Sequence, residues 1–239
     1  MKAHHALVAD FIPFSWVDGP GNRFVLFLQG CNFDCLACHN PQTIPLQTSK
    51  AAVLSVEEIL EKIRSSMPYI SGVTISGGEA TLQSAFVFAL FSAIKSNSTF
   101  SHLTTFIDSN GSANKETWDL LSPVTDAVML DLKVLDISKH LALTGSSNQE
   151  VLASIKYLAS ISLLFEVRLL LVPNQNESEE ELAATAKFLL EIDANMRIKI
   201  NRFMTHGVRA KARKWSEVSE LEVLRYREIL QRHGVKALA

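Results

Sequence analysis

The sequence has 239 residues, of which 47% are hydrophobic, and its 23 Lys and Arg nearly balance its 25 Asp and Glu. A chain of this length buries enough apolar surface to fold without disulfides, and we predict a single domain over residues 1–239. The near balance of charge argues against a nucleic-acid-binding protein and against a strongly basic membrane-binding surface.

The N-terminus, from Met1 to His5, lacks the apolar stretch that a secretory signal needs, and Asp10 interrupts the only candidate for one. The most apolar helix candidate, at 85–94, is too short to span a bilayer and is typical of a core helix. We therefore predict a cytoplasmic protein that has no membrane partner.

Strand and helix patterns alternate along the chain from residue 23 onward. Residues 42–54 are interpreted as a polar connector, and Ser-x-x-Glu capping boxes at Ser55 and Ser178 each open a helix. Apolar runs predict six strands, at 23–29, 72–76, 103–107, 126–130, 163–172 and 196–201. Helices are predicted from 55, at 82–95, 114–121 and 148–159, from 178 to about 190, and at 216–233.

Six strands that alternate with helices indicate parallel pairing through right-handed crossovers. The predicted fold class is α/β, a partial (β/α)6 TIM-like barrel or strongly curved sheet. An incomplete barrel leaves a lateral gap, and such a gap can admit a macromolecule.

All three cysteines, Cys31, Cys35 and Cys38, lie on one loop after the first strand, spaced C-x3-C-x2-C. Thiolate ligands select zinc, copper(I) or iron–sulfur clusters. A [4Fe–4S] cluster usually takes four cysteines, so three leave one iron open to a small molecule that chelates through an amine and a carboxylate. A structural zinc site that includes His39 and an electron-carrying cluster remain open at this point. A disulfide is less favoured, because the cysteine count is odd and no export signal is present.

Polar residues also follow the other predicted strands. In parallel α/β folds the carboxyl ends of the strands meet at one edge, and sites lie there. We therefore expect one site at this rim. The strand-end segments are 76–79 after the second strand, 108–111 after the third, 131–133 after the fourth, Arg168 within the fifth and 201–206 after the sixth.

The cysteine spacing, together with segments 18–23, 27–31 and 38–41, resembles the radical S-adenosylmethionine (radical SAM) superfamily. Within it, the chain is similar to the pyruvate formate-lyase activating enzyme family of glycyl-radical enzyme activases, with its nearest likeness to YjjW-type activases. The resemblance covers 17–206. It implies that Cys31, Cys35 and Cys38 hold one [4Fe–4S] cluster and that S-adenosylmethionine is cleaved reductively there. The resulting 5′-deoxyadenosyl radical abstracts a glycine Cα hydrogen from a partner glycyl-radical enzyme.

The resemblance assigns the methionine end of S-adenosylmethionine to two strand ends. Gly77 and Gly78 allow close approach to the amino group, and Glu79 supplies negative charge nearby. Arg168 matches the family Arg that reaches the carboxylate. The residues alone also fit plainer roles, a strand-to-helix turn for the two glycines and an ion pair with Glu166 for Arg168.

Further cofactor contacts are implied for Asn40, Asp131 and Lys133. Asp108 and Asp131, with the backbone carbonyl of Met129, are implied to hold a monovalent cation. By themselves, Asp108 also suits a turn, and Asp131 with Lys133 also suits a surface ion pair.

Two protein partners follow from the resemblance. Asp18 and Gly19 are implied to hold the glycine-bearing loop of the glycyl-radical enzyme, although the residues locally suit a tight turn. A flavodoxin or ferredoxin is implied as electron donor.

The chain departs from the family pattern at four places. Ala37 and Ala80 replace an aromatic residue and a proline, and segment 42–54 lacks a cysteine-rich insert, so one cluster is expected. Met204 stands where the family has His, so that role is not transferred, and His206 is a weak substitute. Two other functions stay open, a radical SAM enzyme that acts on a small molecule and a non-catalytic iron–sulfur electron carrier.

Overall fold

A computed structural model describes residues 4–239; the N-terminal expectation for residues 1–3 lies outside the described part. No helix within 4–239 is long and apolar enough to cross a membrane. The strands are β1 (His5–Ser15), β2 (Arg23–Leu28), β3 (Ala52–Ser55), β4 (Gly72–Gly77), β5 (Thr104–Ser109), β6 (Ala127–Asp131), β7 (Leu164–Leu171), β8 (Arg197–Arg202) and β9 (Ala237–Leu238). The α-helices are α1 (Val56–Ser66), α2 (Ser84–Ser96), α3 (Lys115–Leu121), α4 (Ile137–Thr144), α5 (Gln149–Ser160), α6 (Glu179–Ile192) and α7 (Glu220–Arg232).

The first of two compact units comprises residues 4–32, 42–109 and 113–129. Its strands follow the order β3-β1-β2-β4-β5-β6, and β6 contributes only its first residues. β1 pairs antiparallel with β2 and with β3, whereas β2, β4 and β5 pair in parallel. Apart from the buried Arg23 at its start, β2 is apolar and almost wholly buried, as expected for a strand covered on both faces.

The second unit comprises residues 33–41, 110–112 and 130–239. The end of β6 is followed in strand order by β7, β8 and β9, and the pairs β7–β8 and β8–β9 are parallel. The buried apolar faces of α5 and α6 are centred on Ile155 and Leu182, and α5 packs against β7, most of whose residues are buried. The prediction of one domain over the whole chain stays a prediction.

Most sequence-predicted helices and strands lie within a few residues of their observed bounds. At α1 the capping box is complete, since Ser55 accepts from the Glu58 N–H and the Glu58 side chain accepts from the Ser55 N–H. At α6 only half of the predicted box forms. Ser178 accepts from the Glu181 N–H, but the Glu181 carboxylate pairs with Lys139 instead of returning to the cap.

Four elements were not predicted: β1, β3, α4 and β9. β3 lies inside the segment interpreted as a polar connector, and it forms because β1 offers it an edge to pair with. The start of the last helix was also predicted too early. α7 begins after Ser219, where a complete capping box with Glu222 fixes the first turn.

Candidate active site

In the first unit, the end of β2 that leads into Cys31 is fixed by the segment 42–45. The N–H groups of Gly30 and Cys31 donate to two carbonyl oxygens of this segment, over 2.8 and 3.0 Å. The side-chain amide of Gln29 donates to two more, over 3.1 and 2.7 Å. The backbone on which Cys31 sits is therefore held from the side by hydrogen bonds that use no sulfur ligand.

Gly77 and Gly78 pack against the same end of β2. Gly77 has φ +126°, and a Cβ there would lie 2.2 Å from the carbonyl oxygen of Leu28. A Cβ on Gly78 would lie 2.2 Å from the carbonyl oxygen of Gly30, and the Gly78 N–H donates to Leu28 over 2.9 Å. Both positions require glycine because the backbones touch, a structural reason that stands beside the predicted cofactor role.

Glu79 is 1% exposed, and its carboxylate is embedded in hydrogen bonds. Its Oε1 accepts from the Thr81 N–H (2.9 Å), the Thr81 hydroxyl (2.6 Å) and the Ser109 hydroxyl (2.9 Å). Its own N–H donates to the Gly30 carbonyl over 2.8 Å. Glu79 therefore caps the short 3₁₀ helix Ala80–Gln83, a role that sequence reasoning missed.

Asp108 lies at the end of β5, where its Oδ2 accepts from the Ser76 hydroxyl over 2.8 Å. Ser76 is the penultimate residue of β4, directly before Gly77. The first unit thus gathers Asp108 and the segment 76–79 at one end of its parallel strands, as the strand-end argument predicted.

Asp18 and Gly19 lie at the opposite end of β2. They belong to the turn between β1 and β2, where Ser15 is registered with Arg23, the first residue of β2. The Asp18 carbonyl accepts from the Thr74 hydroxyl over 2.7 Å. Six strand residues at about 3.3 Å each separate this turn from the end that carries Cys31, roughly 20 Å away.

In the second unit, the loop that carries Cys35 and Cys38 docks on the last turn of α4. The N–H groups of Asp34 and Leu36 donate to the carbonyl oxygens of Thr144 and Leu143, over 2.8 and 2.9 Å. These carbonyls are among those that a helix C-terminus leaves without intrahelical partners. The loop therefore satisfies two carbonyl groups at the C-terminus of α4, and the same hydrogen bonds fix the backbone of the loop.

The same loop contacts the segment after β8. The side chain of Asp34 pairs with Arg209, and His39 Nε2 lies 3.0 Å from the Met204 carbonyl oxygen, so this nitrogen is the protonated donor. Gly207, with φ +77°, would place a Cβ 2.6 Å from the His39 carbonyl oxygen. His39 Nε2 is thus used in holding the loop, which speaks against this nitrogen as a zinc ligand.

Both thiols of the second unit have a pKa raised above that of an ordinary cysteine. Burial raises the pKa of Cys35 to about 11, and Lys133 opposes the shift. Burial likewise raises the pKa of Cys38, and the Asn40 N–H opposes it. All three cysteines are half-buried, and none of them forms a disulfide. Because thiolate is the ligand form, metal binding must displace these protons.

Asp131 and Lys133 form a partly buried ion pair at the end of β6, with Nζ 2.6 Å from Oδ2. Two buried amides hold the backbone that carries Lys133. Asn176 donates to the Lys133 carbonyl over 2.7 Å, and Asn148 donates to the two carbonyls that follow, over 3.2 and 2.7 Å. Both amides were missed, although an Asn just before a helix and an Asn after a strand-ending Pro are visible in sequence.

Arg168 pairs with Glu166 along β7, with Nε 2.8 Å from Oε1, and both side chains are buried. Arg197 approaches the other oxygen of the same carboxylate at 3.2 Å. The ion pair that the sequence left open as an alternative is present, and it fixes one edge of the Arg168 guanidinium.

His140 is another residue that sequence reasoning missed. It is fully buried in α4, its Nδ1 donates to the Ser146 carbonyl over 2.8 Å, and its ring stands edge-to-face on Phe33 at 5.6 Å. Its Nε2 is buried without a hydrogen-bond partner.

Within either unit, the described residues contain no cluster of three or more His, Cys, Asp or Glu side chains placed to bind a metal ion.

Known proteins are similar to this chain in sequence and in fold. Residues 25–189 match the Radical SAM superfamily. The chain is 34% identical to a pyruvate formate-lyase-activating enzyme of Streptococcus mutans over 206 residues, covering 84% of this chain and 78% of the relative. The corresponding enzyme of Staphylococcus epidermidis is 34% identical over 202 residues, covering 80% of this chain and 78% of the relative.

Solved structures give the same picture at the level of fold. A domain of a pyruvate-formate lyase-activating enzyme from Bacteroides vulgatus superposes with TM-score 0.56 at 24% identity, covering 71% of this chain and 99% of that one. SuiB of Streptococcus suis, in a complex with S-adenosylmethionine, superposes with TM-score 0.63 at 20% identity, covering 88% of this chain and 48% of that one.

Proposed function

This chain belongs to the radical SAM superfamily and, within it, to the pyruvate formate-lyase-activating enzymes, and from that membership we propose how its residues divide the work of a glycyl-radical enzyme activase. Membership confirms the predicted family, the α/β partial-barrel fold class of the radical SAM type and the enzyme class. It also confirms that the protein uses a [4Fe–4S] cluster and S-adenosylmethionine and acts on a glycyl-radical enzyme. The finer likeness to YjjW-type activases stays a prediction.

The donor set fits the cluster. Cys31, Cys35 and Cys38 are not engaged in disulfides, and sulfur is the ligand that iron–sulfur clusters take. Three sulfur ligands leave one iron open, as the binding of a small chelating molecule requires. Held by Cys31, Cys35 and Cys38, the cluster would supply one electron for the reductive cleavage of S-adenosylmethionine, the chemistry from which removal of a glycine Cα hydrogen of the partner enzyme would follow.

The observation that carries this proposal is the C-x3-C-x2-C spacing within a region that matches the superfamily, in a chain 34% identical to named activases over most of its length. The small-molecule radical enzyme and the electron carrier are less favoured, because neither accounts for that likeness. The supporting residues act by positioning: the loop contacts described above hold the cysteine backbone through hydrogen bonds that do not use the thiols.

We assign the remaining residues of the first unit as follows. Gly77, Gly78 and Glu79 receive the methionine amino group, with Glu79 contributing charge from a buried carboxylate that also caps the 3₁₀ helix. Asp108, at the same strand ends, shares a monovalent cation with Asp131. Asp18 and Gly19 contact the partner. Because they lie at the end of β2 away from Cys31, the partner must either span the length of β2 or contact this turn at a place apart from the cysteines.

In the second unit, Lys133 and Arg168 are the cations assigned to the cofactor, and each is oriented by a carboxylate, Asp131 or Glu166. Asn40 contacts the cofactor beside Cys38. Met129 lends a carbonyl to the monovalent cation from the first-unit part of β6. We further propose a flavodoxin or ferredoxin as electron donor, a single radical SAM domain and a cytoplasmic location.

Anaerobic reconstitution with iron and sulfide tests the proposal. We expect about four irons per chain, an EPR spectrum of the reduced cluster that changes on adding S-adenosylmethionine, and release of 5′-deoxyadenosine. Cys35→Ala should abolish deoxyadenosine release, whereas Leu36→Ala, in the same loop without a sulfur ligand, should keep it. Because the relatives are named for pyruvate formate-lyase, that enzyme is the first partner to test for a glycyl radical.

Three outcomes would contradict the proposal. A cluster whose spectrum ignores S-adenosylmethionine indicates an electron carrier. Zinc without iron indicates a structural metal site. Deoxyadenosine release that survives in Cys35→Ala shows that the cysteine loop does not carry the chemistry.

A further inference from the structure

The chain carries a run of positive charge that the proposed chemistry does not use. Between Asp193 and Glu217 the sequence contains seven Lys and Arg and no Asp or Glu, in a protein whose formal net charge is −2. Four of these cations fall within the six residues 209–214, here called the basic segment: Arg209, Lys211, Arg213 and Lys214.

The basic segment is held against the second unit by apolar residues that point inward. Val208 and Ala212 are almost completely buried. Ala212 begins a single 3₁₀ turn that ends at Lys214. Lys211, Arg213 and Lys214 are exposed. Among the described residues, Lys211 and Lys214 form no ion pair, so their charge is presented to solvent.

The basic segment also adjoins the loop that carries Cys35 and Cys38. Arg209 pairs with Asp34, the residue before Cys35, and the preceding residues Met204 and Gly207 contact His39, the residue after Cys38. A protein seated on this segment would therefore lie beside the cysteine loop of the same unit.

We propose that the basic segment is the docking surface for an acidic one-electron carrier protein that reduces the enzyme. The inference rests on the proposed function. The step is a single electron transfer: the reduced carrier loses one electron, the cluster gains it, and no bond or proton moves. A carrier must bind close to its acceptor, bind weakly and leave quickly, and complementary charge gives that kind of fast, transient encounter.

The test compares two double variants with the same change in charge. Lys211→Glu with Lys214→Glu alters the basic segment. Lys187→Glu with Lys236→Glu alters two exposed lysines elsewhere in the same unit. The first readout is binding of oxidised flavodoxin to the cluster-free protein by calorimetry, at low and at high salt. We expect binding about tenfold weaker for the first variant only, and a difference that disappears at high salt.

The second readout is 5′-deoxyadenosine release from the reconstituted enzyme, driven by reduced flavodoxin, reduced ferredoxin or dithionite. We expect the Lys211 and Lys214 variant to lose about tenfold with a protein donor and to match wild type with dithionite. A loss with only one of the two carriers supports the proposal and identifies the donor.

Equal losses in both double variants, or no loss with either carrier, overturn the docking assignment. Weaker binding of the glycyl-radical enzyme with unchanged carrier binding also overturns it, because the segment then serves the other partner. If dithionite gives no deoxyadenosine with wild type, the proposed function itself fails, and the two failures are thus distinct.

Discussion

Glu79 caps a 3₁₀ helix and is also proposed to contact the cofactor. The substitution Glu79→Gln tests these two roles separately. Glutamine keeps an oxygen that can accept from Thr81 and Ser109 but removes the charge. Hydrogen bonds to a charged group contribute roughly 1.5–3 kcal/mol and neutral ones about 1 kcal/mol, so we expect the free energy of unfolding to fall by about 1–2 kcal/mol. Loss of the charge beside the methionine amino group should weaken S-adenosylmethionine binding about 10- to 100-fold.

Stability is measured by denaturant unfolding of the cluster-free protein, and affinity by anaerobic equilibrium dialysis of the reconstituted protein. Ser109→Ala is the matched control, because it removes one donor to Glu79 and keeps the carboxylate. We expect it to cost about 1 kcal/mol of stability with no change in affinity. If the Gln variant binds S-adenosylmethionine as tightly as wild type, Glu79 is a structural cap alone and its assignment to the cofactor is wrong.

Three other residues give further predictions. Burial lowers the pKa of His140, opposed by the Ser146 carbonyl, so the unfolded chain takes up the proton first. The stability that this buried neutral ring contributes is complete above pH 6.5 and falls as the pH drops below it, and His140→Phe should flatten urea midpoints measured across that range. Arg168→Met removes the buried partner of Glu166 and leaves this carboxylate with the half-exposed Arg197, so it should cost about 3 kcal/mol in denaturant unfolding, whereas adding Glu166→Gln should recover part of the loss. Gly207→Ala introduces both strain and a contact with His39, and thermal unfolding should show a loss of about 1–3 kcal/mol.

The sequence predicted the parallel strands well because each is a short apolar run between glycines, prolines or polar residues. It failed where pairing partners decide the structure. β1 contains Asp10 and Pro13, which weaken its pattern, and it forms a strand because it pairs with β2 on one side and with β3 on the other. The four residues of β3 carry no signal of their own. By contrast, α4 was announced by Asp136 as N-cap and Gly145 as a left-handed C-cap, and these were overlooked.

At the candidate site, topology predicted which residues stand at strand ends, and 76–79 with Asp108 lie together in the first unit as expected. The supports of those residues were harder to foresee. Hydrogen bonds between backbones, such as those from the cysteine loop to α4, leave no trace in residue identity. The resemblance implied that Asp18 contacts the partner enzyme but did not indicate where in the fold it lies. The register of β1 on β2 shows that it lies in the turn before β2.

The hydrogen bonds from the loop of Cys35 to the end of α4 have a consequence for repair after oxygen damage. Because this loop is tied down by backbone groups, losing the iron should not oblige it to unfold. Because the loop stays ordered, rebuilding the cluster does not have to offset the conformational entropy of ordering the chain. The free energy of metal binding then contributes to affinity for the metal. For a protein with an oxygen-sensitive cofactor, an ordered loop that carries two of the three cysteines favours rebuilding of the cluster over degradation of the protein.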